Sequence, residues 1–339
     1  MSVKRKLALF LAMAVLALLG GFYLWFRAAM RVGELPALAG YGPHHDMGGA
    51  WPVVDSLVEA VRQDDVEEVE RLLGRRQDSK TLNEALFAAA ESAMLVVDGD
   101  TREEVKQDEA HGFHYARIAK LLLEHGASVK ARDQEGGTAL IQAAAFGEDD
   151  VVKLLIESGA DIEAADDDGQ TALIGASCNC AIVDMADTYD AVRALLERGA
   201  NIEARDKRGR TALMAAAEWG RERQVRLLLS RGASIDATDG HGDTALAIAA
   251  AGGAYPTADA AGALLAGGAD IEARNDNGDT ALILAASGGG LEDVRIVRML
   301  VDRGADLNAR NGEGFTALQL ARKNGRSGTA SVVGAAMER

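Results

Sequence analysis

Residues Asp133 to Ala165 read DQEGGTALIQAAAFGEDDVVKLLIESGADIEAA, and residues Asp206 to Thr238 read DKRGRTALMAAAEWGRERQVRLLLSRGASIDAT. In the first stretch Thr138 places a side-chain oxygen immediately before an apolar-periodic run, the signature of a helix N-cap. Ala139, Ala143 and Ala144 make a short first helix whose small side chains let neighbouring backbones approach, and Gly147 ends it. Val151, Val152, Leu154, Leu155 and Ile156 form the apolar stripe of a second helix. Glu148, Asp149 and Asp150 stand in its first turn, where negative charge suits the helix dipole. Gly159 sits where a left-handed residue closes that helix. Asp161-Ile162-Glu163 then alternates, as a strand would, towards an Asp- and Gly-rich turn.

The same design recurs along the chain. Thr-Ala-Leu returns at 138, 171, 211, 244, 280 and 316, and Gly-Ala at 126, 159, 199, 232, 268 and 304. Each Gly-Ala precedes its Thr-Ala-Leu by 12 residues, whereas the distance from Thr to the next Gly runs 21, 28, 21, 24 and 24. The fixed part is the connection between units, where stacked hairpins must share register and an extra residue disturbs every neighbour. The variable part is the turn between the two helices, which faces solvent. Its insertions fall near 181–187, 254–258 and 288–291. Glu84 occupies the Thr position of an earlier unit that carries a longer insertion around 93–112.

These units resemble ankyrin repeats, which have a period of about 33 residues and comprise a turn and two helices. The resemblance implies an all-α repeat solenoid of stacked helix-turn-helix units with β-hairpin loops. Clear units span 133–165, 166–205, 206–238, 239–274 and 275–310; degenerate ones span about 51–76, 77–132 and 311–339. Ser56 to Leu73 is the expected N-terminal cap, and atypical terminal units are what a solenoid needs where its ends meet water. The family pattern is Thr-Pro-Leu-His; here Ala replaces Pro, and Ile, Met, Ala or Gln replaces His. The resemblance then implies that packing replaces the hydrogen bonds the His makes between units.

Leu7 to Phe26 is a run of 20 uncharged, mostly apolar residues, long enough as a helix to cross about 30 Å of hydrocarbon. Lys4, Arg5 and Lys6 precede it, and Phe22, Tyr23, Trp25 and Phe26 gather at its far end, as at a membrane interface. The expected organisation is a short cytoplasmic N-terminus (1–6), a transmembrane signal-anchor (7–26), a Pro- and Gly-containing tether (27–50) and the repeat domain (51–339). The positive charge before the span places the repeats outside the cytoplasm. Arg- and Ala-rich usage with a single anchor fits a bacterial protein, and the domain would then be periplasmic. Cleavage after Ala39 would instead give a secreted soluble form.

The chain carries a net charge of −16; residues 1–31 hold five Lys or Arg and no acid, so the remaining 308 carry −21. Such a domain repels nucleic-acid phosphates, and its expected partners are neutral or basic protein surfaces. The acidity also keeps a Gly/Ala-rich solenoid soluble. Cys178 and Cys180 are too close in sequence for an unstrained disulfide and too few for a structural zinc site.

The sequence carries no G-x-S-x-G, H-E-x-x-H or G-x-x-x-x-G-K-[ST] pattern, so the expectation is a non-catalytic protein without cofactor or metal. An alternative is a metal-binding or accessory role for residues 93–115, where His111 and His114 would share a helix face. Asp166-Asp167-Asp168 and Asp276-Asn277-Gly278 resemble pieces of calcium loops but lack the remaining ligands, so turn chemistry explains them better. The resemblance implies that partners meet the hairpin tips and the exposed ends of the first helices. The position eight residues after each Thr holds Phe146, Asn179, Trp219, Gly252, Gly288 and Asn324. Phe146 and Trp219 are therefore candidate binding anchors, with Lys207, Arg208 and Arg210 as a basic island beside them.

Overall fold

The computed structural model describes residues 56–91, 111–178, 188–252, 255–288 and 292–338. The described residues form sixteen helices that pair into eight units, I to VIII. Unit I is α1 (Leu57–Arg62) and α2 (Val66–Leu73); unit II is α3 (Ser79–Ala90) and α4 (His111–Glu124). Unit III is α5 (Ala139–Phe146) and α6 (Asp149–Glu157); unit IV is α7 (Ala172–Cys178) and α8 (Tyr189–Glu197). Unit V is α9 (Ala212–Glu218) and α10 (Glu222–Ser230); unit VI is α11 (Ala245–Ala251) and α12 (Ala258–Ala266). Unit VII is α13 (Ala281–Ser287) and α14 (Asp293–Asp302); unit VIII is α15 (Ala317–Lys323) and α16 (Ser327–Met337). Odd-numbered helices pack on one another in one layer and even-numbered helices in a second, and among the described residues the main helix contacts run within a unit or between adjacent units.

The all-α repeat expectation holds, and its local causes are visible. The Thr138, Thr171, Thr211, Thr244, Thr280 and Thr316 hydroxyls each accept the backbone N–H three residues on, at 3.2–3.4 Å. Leu140, Leu173, Leu213, Leu246 and Leu282 are each 1% exposed, and the alanines around them are buried with them. Each such leucine contributes about 1.5–3 kcal/mol by leaving water.

Two expectations need correction. Glu84 does not cap its helix: α3 starts earlier, at Ser79, with Asp78 accepting the Thr81 N–H at 2.8 Å. A short carboxylate ahead of a free turn reaches a backbone N–H, whereas Glu84 lies inside the helix. The hairpin arms are not strands either. Among the described residues the pairing is reduced to isolated antiparallel bridges, Arg132 with Thr138, Ala165 with Thr171 and Thr238 with Thr244. Asp161 ends the expected alternation by accepting the Glu163 N–H at 3.0 Å in a local turn.

What joins the units is a set of ladders. Each tip opens on Asp133, Asp166, Asp206, Asp239, Asn275 or Asn311, whose Oδ1 accepts the N–H groups two and four residues ahead at 2.8–3.1 Å. Tip then bonds to tip: the Asp167, Lys207, Gly240, Asp276 and Gly312 N–H groups donate to the Glu135, Asp168, Arg208, His241 and Asn277 carbonyls at 2.7–3.0 Å. Arg205 and Arg274 each give one guanidinium nitrogen both to their own tip and to a carbonyl of the next unit. Glu163, Glu203, Asp236 and Glu272 accept the N–H groups of Asn201, Ser234, Asp270 and Asp306 in the following unit at 2.7–2.9 Å. Part of the acidity is therefore structural.

Asp206 tests this account. Its side chain is 3% exposed and also binds the Arg210 guanidinium. Asp206→Ala strips the acceptor from two backbone donors and one buried cation, and should cost about 3–4 kcal/mol in urea unfolding. Asp206→Asn keeps Oδ1, as Asn275 and Asn311 do at the same place, and should cost about half as much. Equal losses would contradict the backbone-acceptor role.

Among the described residues no helix is long and apolar enough to cross a membrane. Leu7 to Phe26, the expected span, and the tether lie outside them.

Candidate functional site

On the first helices, positions four, seven and eight after the capping Thr fall on one stripe of a 3.6-residue period. In units III to VII it is the stripe on which exposure occurs, while positions one, two, five and six are buried in the stack; in the terminal unit VIII Gln319 and Arg322 are exposed as well. Ile248, Leu284 and Leu320 are half-buried at the fourth position of units VI, VII and VIII. Gln142 and Ala215 at the same place in units III and V are buried. Phe146 and Trp219 are both half-buried at the eighth position of units III and V, so the structure puts them on the same face. Asn179 lies outside the described residues.

Trp219 is more than an exposed ring. It caps the C-terminus of α9, packs on the core, and meets Tyr255 of unit VI with ring centroids 4.3 Å apart at a tilt of 36°. Tyr255 is itself 38% exposed. Arg223 lies over the Tyr189 ring, 4.3 Å from its centroid, along the same helix-to-helix connections. Aromatic pairs held rigid at an exposed edge lose little freedom on meeting a partner.

The basic island is smaller than its sequence suggests. Lys207 and Arg208 are exposed at the tip of unit V. They stand at the opposite end of the seven-residue α9 from Trp219, a separation of about 10 Å along the helix. Arg210 is not free: its side chain is 19% exposed, with Nε 2.9 Å from Asp206 Oδ2 and Nη1 2.8 Å from Glu218 Oε2. Burial disfavours its charge, but Glu218 and Asp206 outweigh that and hold the guanidinium above the usual arginine range. Two carboxylates in reach of one cation take it away from solvent, and Arg210 becomes a strut between the tip and the far end of α9.

Sequence reasoning missed Ile248, Leu284, Leu320 and Tyr255. The available signal was that the fourth position changes along the Thr-Ala-Leu-x-x-Ala helices from Gln142, Gly175 and Ala215 to Ile248, Leu284 and Leu320, so a branched aliphatic side chain appears there only in the last three units. Beside the aliphatic stripe the tips are acidic. Asp243 and Asp279 accept the Asn275 and Asn311 amides at 2.9 Å, one unit to the next. Burial raises the Asp243 pKa, with Asp239 and Asp279 reinforcing it against the Asn275 amide and His241.

The residues weighed as metal ligands are engaged elsewhere or lie beyond description. His114 Nδ1 is 2.9 Å from Asp64 Oδ2, tying α4 to the turn between α1 and α2. The adjacent Tyr115 is 7% exposed; burial first, then the Asp64 and Glu148 carboxylates, push its phenol above the usual tyrosine range. Among the described residues no three His, Cys, Asp or Glu are grouped to hold a metal. The His111 side chain and residues 92–110 lie outside them. Asp166 is 8% exposed and bonds its own turn, as turn chemistry predicts. Cys178 is buried against the Gly175 carbonyl at 3.2 Å, and Cys180 lies outside the described residues.

The family model for ankyrin repeats matches the chain in three copies, over residues 109–206, 183–271 and 246–333. No curated protein matches it closely enough to be called a relative. With two helix layers, capping threonines, hydrogen-bonded tips and three family matches that together cover most of its length, the chain belongs to the ankyrin-repeat family.

Proposed function

We propose that this protein is a membrane-tethered, non-catalytic scaffold that captures a protein partner on the exposed face of its first helices. Ankyrin repeats generally mediate protein–protein interaction, which supports the scaffold role. The observation that carries the placement is the row of half-buried side chains on one stripe: Phe146, Trp219 with Tyr255, Ile248, Leu284 and Leu320. Lys207 and Arg208 at the tip of unit V offer a basic element at the tip edge, and Arg210 supports that tip from within. The rest of the edge is acidic, with Asp239, Asp243, Asp276 and Asp279 at tips VI and VII. A neutral or basic protein surface with apolar side chains suits it, and nucleic acid does not. Residues 7–26 provide the membrane attachment in this reading, with the repeats on the extracytoplasmic side.

Partner capture in the native host tests the proposal. The full chain would carry a photo-crosslinker near Trp219, and the control would be Phe146→Ala, Trp219→Ala, Leu284→Ala. A single crosslinked protein should appear with the parent and fall at least about tenfold with the control, as loss of anchors predicts. Persistence of the same protein in a folded control would overturn the placement. Protease protection of a tag at the C-terminus would decide the orientation separately.

A further inference from the structure

α2 and α3 are joined by only five residues, Gly74 to Asp78, whereas fourteen join α4 to α5 and α6 to α7. That first connection is too short to project the tip that precedes each of α5, α7, α9, α11, α13 and α15. A gap is left beside the connection that follows α4, where a preceding tip would otherwise stand. It is a cleft of about 330 Å³ lined by Leu73, Gly74, Arg75, Arg76, Gln77, Leu82 and His125. No lining residue is acidic, in a chain of net charge −16.

The two arginines differ from those at the later connections. Arg205 and Arg274 are consumed by carbonyls of their own tip and the next unit. Nearby, Arg71 is paired with Glu68 and Arg117 with Glu70. The Arg75 and Arg76 side chains are exposed and make no hydrogen bond or ion pair with another described residue; Arg75 bonds only through its backbone N–H, to the Leu72 carbonyl at 3.1 Å. Glu68 feels Arg75 only after its bond to Arg71. Gln77 is fixed by its amide donating to the Leu72 carbonyl at 2.9 Å, and His125 by Nδ1 at 2.8 Å from the Leu121 carbonyl. Two guanidinium forks and a fixed imidazole therefore border a roomy recess from which carboxylates have been left out.

We propose that this cleft binds a phosphate group. Guanidinium forks match phosphate oxygens with paired, charge-assisted hydrogen bonds, and two forks on adjacent residues can share one dianion. The recess is large enough for a phosphate ester as well as the free ion, so the group can arrive alone or on a lipid headgroup. The site lies in units I and II, away from the partner-binding face of units III to VIII, and does not depend on it.

The test uses the full chain in neutral detergent, with inorganic phosphate titrated by calorimetry at constant ionic strength set by chloride. Saturable binding should weaken at least about tenfold in Arg75→Gln/Arg76→Gln, which loses both forks. Arg75→Lys/Arg76→Lys keeps the charge without the forks and should fall between. Arg298→Gln/Arg303→Gln, with the same change of net charge at exposed positions of unit VII, should bind like the parent. Thermal unfolding without phosphate checks that each variant is folded. Unchanged binding in the first variant, or equal loss in the Arg298/Arg303 control, would overturn the site. A second arm adds phosphatidylglycerol to the micelles: competition with phosphate identifies a headgroup as the source, and its absence identifies soluble phosphate.

Discussion

An extra residue inserted between Arg205 and Asp206 should lower the stability of the array by about 4 kcal/mol, while one inserted beside Asp187 should change it by less than about 1 kcal/mol. The first site lies within the connection whose 12-residue spacing is kept at all six Gly-Ala to Thr-Ala-Leu steps. Asp206 there organises its tip through Arg208 and Arg210, the Lys207 N–H reaches back to Asp168, and the Arg208 carbonyl accepts from Gly240. Arg205 also clamps Gly209 and the Thr238 carbonyl at 2.8 and 2.6 Å. One added residue puts these groups out of step with units IV and VI together, and four to five bonds at about 1 kcal/mol each set the size of the loss. Asp187 lies between α7 and α8, where the chain already carries seven extra residues. Because each repeat contacts only its neighbours, the first insertion should also split urea unfolding into two steps, as the array parts at unit V. Equal midpoints for the two insertions would refute the register argument.

Gly220→Ala should cost about 3 kcal/mol or more, against about 1 kcal/mol for Gly232→Ala. Both glycines have positive φ, +66° and +90°, so both substitutions carry the strain of a left-handed alanine. They differ in their surroundings. A Cβ on Gly232 meets nothing within 4 Å, whereas one on Gly220 would lie 2.1 Å from the Pro256 carbonyl oxygen. That oxygen is backbone, so relief requires moving the segment that carries Tyr255. The Trp219–Tyr255 pair should loosen with it, and partner capture at this edge should fall even where the variant remains folded. Chemical unfolding of the two variants, with crosslinking near Trp219, provides the check. Similar losses at the two glycines would show that the carbonyl yields freely.

The repeat, its two helices and its capping threonines were legible because each rests on bonds spanning three or four residues. Thr138 reaches the Ile141 N–H and Asp78 reaches Thr81; such contacts are written in local spacing. Glu84 shows where even this fails: alignment with the other units put it at a cap, but a better cap stood six residues earlier. The candidate site was legible in part. The eighth-position rule found Phe146 and Trp219 on one face, but Tyr255 and the Ile248, Leu284 and Leu320 stripe emerged only from burial.

Sequence alone determined that this chain is a stack of helix pairs with inextensible connections and extensible turns, because period and local chemistry suffice for that. Only the tertiary structure decided what each charge does. Glu163 serves the Asn201 N–H, and Arg205 the Thr238 carbonyl, across 38 and 33 residues of chain. Arg210 is turned inward by Asp206 and Glu218, while Arg75 and Arg76 are left outward at the one connection too short to use them. A charge takes its role from whichever group stacking brings within about 3 Å, and that distance is set by neighbouring units rather than by neighbouring residues.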